Sequence, residues 1–314
     1  MKKPRLITGK QGLLLFAAAV AAAGMLAGCG KSGSSGQTAA SGTTAAAATE
    51  AVTEAEAEKE TKGETEAAET GTAVTETAAD QEEVTILVAA AASLKNACEE
   101  ELIPMFEEQN PGVKVEGTYD GSGKLQTQIE EGLEADVFMS AATKQMTALD
   151  EEGMIASDTI VDLLENKIVL IVPEGGEEGF SVFEDIASAE SIALGDPASV
   201  PAGQYAKEAL TALGIWDEIQ DRVSLGTNVT EVLNQVAAGS ADAGIVYATD
   251  AAGMADQVTV VAEAPEGSLK AKVIYPVAVV KATAHEEQAG AFVEFLQSAE
   301  ALKVFETYGF ADGR

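Results

Sequence analysis

Over its last 231 residues the chain alternates short β-rich runs with helix-spaced apolar residues, and no other feature narrows its fold as far. Strand-like runs separated by helical patterns predict an α/β architecture, because each helix must lay its apolar stripe against a sheet. Strands are expected at 84–89, 113–118, 136–140, 168–173, 191–194, 243–247, 258–261 and 273–280, with helices at 94–109, 203–213, 230–238 and 286–297. Asn110-Pro111-Gly112, Gly153 and Gly175-Gly176 supply turns between them, and no fixed-period repeat is present. Cys98 falls on the helical stripe Leu94, Cys98, Leu102, Met105/Phe106, which makes it a small buried hydrophobe rather than a reactive thiol.

Before residue 83 the composition is different. Lys2, Lys3, Arg5 and Lys10 precede an apolar stretch at 13–26. That stretch is shorter than the roughly 20 residues of a membrane span and reads as the core of a secretory signal. Leu26-Ala27-Gly28-Cys29 follows directly and resembles the lipobox of bacterial lipoproteins. On that resemblance residues 1–28 are a signal peptide and Cys29 takes a diacylglycerol. The mature protein is then extracytoplasmic, held at the outer face of the plasma membrane, where stable anchoring takes more than one acyl chain. The alternatives are a plain secretory signal or an uncleaved anchor. Residues 29–82 continue in Ala, Thr, Glu, Gly and Ser, with no aromatic residue and only Val52 and Val74 as larger aliphatics. Such a stretch cannot bury enough surface to offset ordering and is expected to be a disordered linker, with a reach of roughly 40 Å. The globular domain is expected at 83–314. Cys98 is the only cysteine within it, so no internal disulfide can form.

Charge narrows the partners. Of the chain's 19 basic and 52 acidic residues, 12 and 40 lie in 84–314, a net of −28. A surface of that sign argues against nucleic acid or anionic lipid as a partner.

Two segments offer candidate donors for a small ligand. The first strand runs into Ala90-Ala91-Ala92-Ser93-Leu94, an alanine turn that leaves room at a helix start, with Ser93 expected as the N-cap. Gly121-Ser122-Gly123-Lys124 precedes the helical spacing Leu125, Ile129. Taken singly, each reads more readily as an ordinary cap or turn than as a ligand site.

In order along the chain stand Ala89-Ala90-Ala91-Ala92-Ser93-Leu94, Gly121-Ser122-Gly123-Lys124-Leu125 and Ala135-Asp136-Val137-Phe138. Gly195-Asp196-Pro197, Val200-Pro201-Ala202-Gly203 with Tyr205 to Leu210, Gly244-Ile245-Val246-Tyr247, Tyr275-Pro276-Val277-Ala278-Val279 and Tyr308-Gly309-Phe310 follow. This set resembles the molybdate-binding protein of molybdate ABC importers, across essentially all of 84–314 and none of the linker. The resemblance implies a two-lobed type II periplasmic-binding-protein fold, two Rossmann-like lobes joined by two crossing segments near 167–173 and 272–281. The first lobe would comprise about 84–166 and 281–314, the second about 167–280. It further implies that molybdate or tungstate is held by Ser93 and Ser122 from one lobe, and by the main-chain amides of Ala202 and Val229 and the hydroxyl of Tyr247 from the other. Tyr247 is then the only tyrosine placed at the pocket. The implied partners are an ABC permease and its ATPase, for a monomeric binding protein with no cofactor and no free metal cation.

Such a pocket is physically sensible in an acidic protein. Hydrogen bonds to a charged group contribute about 1.5–3 kcal/mol each and helix N-termini about 0.3–2 kcal/mol, so no lysine or arginine is required. Distant surface charge is screened over about 8–10 Å. An all-donor pocket also disfavours a protonated phosphate, whose proton finds no acceptor. Asp120 stands beside Ser122 and is expected to face solvent or pair with Lys124.

Enzymatic readings find little support. His285 is the only histidine and stands among charged residues at a helix start, and Asp120 before Gly121 spoils any glycine-x-serine-x-glycine pattern around Ser122. Metal-ligand spacing is absent too. Binding of another solute, such as sulfate, phosphate or ferric ion, and a lipoprotein receptor without transport remain as alternatives.

Overall fold

The computed structural model describes residues 83–314. The expected signal peptide, Cys29 and the linker lie outside the described residues. Two mixed sheets carry the fold. The first contains β1 (Val84–Ala91), β2 (Val113–Asp120), β3 (Val137–Met139) and β4 (Val161–Asn166). The second contains β5 (Ile168–Pro173), β6 (Ile192–Gly195), β7 (Val223–Gly226), β8 (Ala243–Tyr247) and β9 (Val258–Glu263), after which β10 (Val273–Val279) and β11 (Ala311–Asp312) return to the first. Strand order is β11-β4-β10-β3-β1-β2 in one sheet and β7-β6-β8-β5-β9 in the other. This is the expected two-lobed α/β arrangement.

The two sheets repeat one topology that no sequence repeat announces. In the first, β1 runs parallel to β2 on one side and to β3 on the other. In the second, β6 runs parallel to β7 and to β8 in the same way. The chain therefore reverses its winding at β1 and again at β6. Ligand crevices in open α/β sheets lie at such switch points, beyond the carboxyl ends of the strands.

The interior strands are apolar on both faces, as sheets covered by helices require. All five residues of β8 are buried, as are Ile168 to Val172 of β5. Over the first sheet, the helical segment 92–109 packs against the Glu286–Leu296 helix, with the Phe106 and Phe292 rings edge to face at 5.0 Å. Cys98, on the same helical segment, is a free, buried thiol beside Tyr119, and burial pushes its pKa up to about 12. Thiolate chemistry is suppressed there.

Several boundaries differ from expectation. β1 continues through Ala91, so the alanines extend the strand rather than forming a turn. Val161–Asn166 and Val223–Gly226 are strands that the sequence did not single out. The division at residue 281 is corrected: β10 pairs with β3 and β4, which puts 273–279 in the first lobe and moves the return crossing to 264–272. β10 is apolar enough for either sheet, and only its pairing decides. The outgoing crossing is short, with Lys167 alone separating β4 from β5. Tyr275-Pro276 is a register shift within β10, where proline's missing N–H costs no ladder bond.

Candidate functional site

The residues singled out for the ligand stand at or after the carboxyl ends of parallel strands. Ser93 follows β1 and Ser122 follows β2; Ala202 follows β6, Val229 follows β7, and Tyr247 ends β8. Ser122 and Val229 are the first residues of the Ser122–Glu130 and Val229–Ala237 helices, and Ala202 is the second of Pro201–Ala212. The first-turn amides of these helices have no intrahelical acceptor, and the helix dipoles place positive potential at the same ends.

The two lobes meet at these ends. Gly123 N–H donates to the Ser199 carbonyl at 2.8 Å, and Asn228 Nδ2 approaches Asp120 Oδ1 at 3.4 Å. A Cβ on Gly121 would stand 2.8 Å from the Thr227 carbonyl oxygen, so only glycine lets the Ser122 turn approach the second lobe this closely. Residues 92–94 also pack on the Val229–Ala237 helix.

Ala141, which the sequence did not single out, joins the site from beyond β3. Its N–H donates to Ser122 Oγ at 3.0 Å, and its carbonyl accepts from the Tyr247 hydroxyl at 3.2 Å. Ser122 is fully buried and its Oγ accepts, so its own proton is available for a ligand. The Tyr247 proton can be given either to Ala141 or to a ligand, and exchanging these partners is one way the site can respond to an anion.

Ser93 departs from expectation in one respect. It lies inside the first helical turn rather than at the cap, which is Ala91. Its Oγ instead bonds the Tyr275 hydroxyl at 3.0 Å. Tyr275 stacks edge to face on Tyr247 with ring centroids 5.4 Å apart, so the site holds a second tyrosine beside Tyr247. Tyr275 in turn accepts from Asn166 Nδ2 at 3.1 Å. The position of Tyr275 in β10 and of Asn166 at the end of β4 carries no local signal of a site role. Burial, and then Tyr275 beside Tyr247 and Asp250 near Tyr275, push both tyrosine hydroxyls well above their ordinary pKa, against the lowering effect of Ser93 and Asn166 on Tyr275. They remain neutral donors.

Charge around the site is arranged as expected. Asp120 pairs with Lys124 and accepts from Gly121 N–H at 2.9 Å, so its charge is tied to its own helix start. His285 lies elsewhere, where its Nδ1 stands 3.2 Å from Asp136 Oδ1. Asp136 also accepts from Leu87 N–H at 2.7 Å and from Thr283. This cluster braces β1 against the segment that follows β10.

Comparison with known proteins shows the family. The family model of the bacterial extracellular solute-binding proteins matches residues 86–311. The chain belongs to that family. A provisionally named ABC transporter substrate-binding lipoprotein of Bacillus subtilis (strain 168), YvgL, is 42% identical over 230 residues, which is 73% of this chain and 87% of that protein. The molybdate-binding protein ModA of Haemophilus influenzae is 40% identical over 234 residues, covering 72% of this chain and 89% of that one. Among solved structures, the substrate-binding domain of a provisional molybdenum ABC transporter from Clostridium difficile is 38% identical with a TM-score of 0.58, over 74% of this chain and 100% of that domain.

Proposed function

We propose that this solute-binding protein captures molybdate, or the isosteric tungstate, outside the cytoplasm and delivers it to an ABC importer. The observation that carries the proposal is the convergence of helix starts, two serine hydroxyls and a tyrosine hydroxyl on one interlobe contact. No basic side chain is needed there. A fully deprotonated tetrahedral dianion asks for many donors and no acceptors, and the similarity to ModA proteins supports the same cargo. In this reading Ser93, Ser122 and Tyr247 donate from side chains, and Ala202 and Val229 from main-chain amides. The protein acts as a monomer without a cofactor, and Cys29 is lipidated; substituting Cys29→Ala is expected to release it from membranes into the medium.

The test is thermal unfolding with molybdate, tungstate, sulfate and phosphate in turn. A ligand at 1,000 times its dissociation constant stabilises by about 4 kcal/mol. Molybdate and tungstate are expected to raise Tm strongly at millimolar concentration, and a shift with sulfate alone would transfer the site to that anion. Ser93→Ala and Ser122→Ala should each weaken binding by about 1–3 kcal/mol in calorimetric titration.

A further inference from the structure

Direction in a hydrogen-bond chain can be read wherever a main-chain amide anchors one end, since an N–H can only donate. Asn166 Oδ1 accepts from Lys167 N–H at 2.8 Å. The amide oxygen is thereby committed, and Nδ2 faces the other way, donating to Thr249 Oγ1 at 2.9 Å and to the Tyr275 hydroxyl at 3.1 Å. Tyr275 therefore accepts from Asn166. It is 1% exposed, so its own single proton must also find an acceptor, and Ser93 Oγ stands 3.0 Å away. Ser93 accepts that proton, which turns its own O–H away from Tyr275. At Ser122 the same result is reached in one step, because Ala141 N–H donates directly to its Oγ.

We infer that Asn166 and Tyr275 form a one-way relay that holds Ser93 as a hydrogen-bond donor to the ligand, and that these two residues thereby select fully deprotonated oxyanions over those that carry a proton. The inference rests on the oxyanion reading above and deepens it. Both residues are positioning residues: neither needs to touch the anion. Their place in the fold adds a consequence, because Asn166 ends the strand that leads into the outgoing crossing. The serine assigned to the ligand is tied through two side chains to the segment that joins the lobes.

The experiment titrates the full chain with molybdate, sulfate and phosphate at mildly alkaline pH, where all three are dianions and only phosphate keeps a proton. Sulfate and hydrogen phosphate are close in size, so their ratio reports the proton alone, and molybdate against sulfate reports size. Tyr275→Phe removes the relay hydroxyl and keeps the ring. It is expected to weaken molybdate and sulfate binding roughly tenfold each and to narrow the gap between sulfate and hydrogen phosphate. Asn166→Asp replaces the donor by an acceptor: Tyr275 then donates to the carboxylate, Ser93 donates to Tyr275, and Ser93 presents lone pairs to the ligand. In this variant the sulfate-to-phosphate ratio should narrow further while the molybdate-to-sulfate ratio holds. Weakening of all three anions by one common factor in both variants would show a merely structural role and overturn the relay. Unchanged affinities would overturn it equally. Failure of the unsubstituted protein to bind either molybdate or sulfate would instead remove the oxyanion reading on which it stands.

Discussion

Hydroxyl groups at this site act through the direction of their protons, and that direction is set by neighbours from distant parts of the chain. Asp250 shows the same dependence for a charge. It opens no motif in the sequence and lies three residues after Tyr247, in the short Ala248–Ala252 helix. The residue as a whole is only partly covered, yet its Oδ2 is shielded and has no hydrogen-bond partner among the described residues. Burial raises its pKa to about 7, and the main-chain amides of Asp250 and Tyr247 only partly offset this. An acid whose pKa is higher folded than unfolded holds its proton longer in the native state. The contribution of Asp250 to stability is therefore fully present below the ordinary aspartate range and is lost as pH rises through about 7. Asp250→Asn should flatten that decline, so its urea midpoint relative to the unsubstituted protein should improve between pH 4 and 7. Parallel profiles for the two proteins would show that Asp250 ionises without cost. A negative charge here is also unhelpful to an anion held by Tyr247, so binding is expected to strengthen in the same variant above neutral pH.

At the scale of elements, the strand-to-helix junctions are where local chemistry and packing coincide. The Pro201–Ala212 helix begins with proline, whose missing N–H costs nothing in a first turn. Gly203 then lets the helix lie on the end of β6, where a Cβ would run into the Gly195 carbonyl. Gly203→Ala should therefore lower stability by about 1–3 kcal/mol, read as a shifted denaturation midpoint, and should weaken ligand binding by displacing the Ala202 amide. The segment from Asp196 to Gly203 marks a tightly constrained junction of the fold. Its counterpart at Val229 carries no comparably distinctive local signature. Asn228 caps that helix by accepting from Glu231 N–H at 2.9 Å, and Asn-Val-Thr-Glu resembles many unremarkable helix starts. β4 and β7 escaped notice for a related reason: β4 interleaves charges, and β7 is a short edge strand with Ser224 and Leu225 exposed.

For the whole molecule, the acidic surface and the donor site act over different distances. The domain's net charge of −28 repels an approaching dianion, whereas the donors act only in contact. Raising ionic strength shortens the screening length from about 30 Å at 0.01 M to about 10 Å at 0.1 M. Association in stopped-flow measurements should therefore speed up with added salt of a non-competing anion, and dissociation should change little. Slower association at higher salt would mean that a local positive field steers capture after all. Two crossings, one short at Lys167 and one longer at 264–272, allow the lobes to move as bodies. Their contact through Gly123 and Ser199 is where such closure registers.

The sequence by itself determined the α/β class, the main strands and helices, the burial of Cys98, the pairing of Asp120 with Lys124, and the two serine turns as sources of donors, whereas Ala202, Val229 and Tyr247 came only through the family resemblance. Each of the former rests on periodicity or on neighbours within a few positions. Tertiary structure alone decided that β10 belongs to the first sheet, that the two lobes repeat one winding, and that Ala141, Tyr275 and Asn166 stand around the serines. The longest of those relations join residues more than 100 positions apart, as Asn166 to Tyr275 and Ser93 to Tyr275 do. A hydrogen bond across such a separation leaves no spacing in the chain, because only the pairing of strands brings its two ends together.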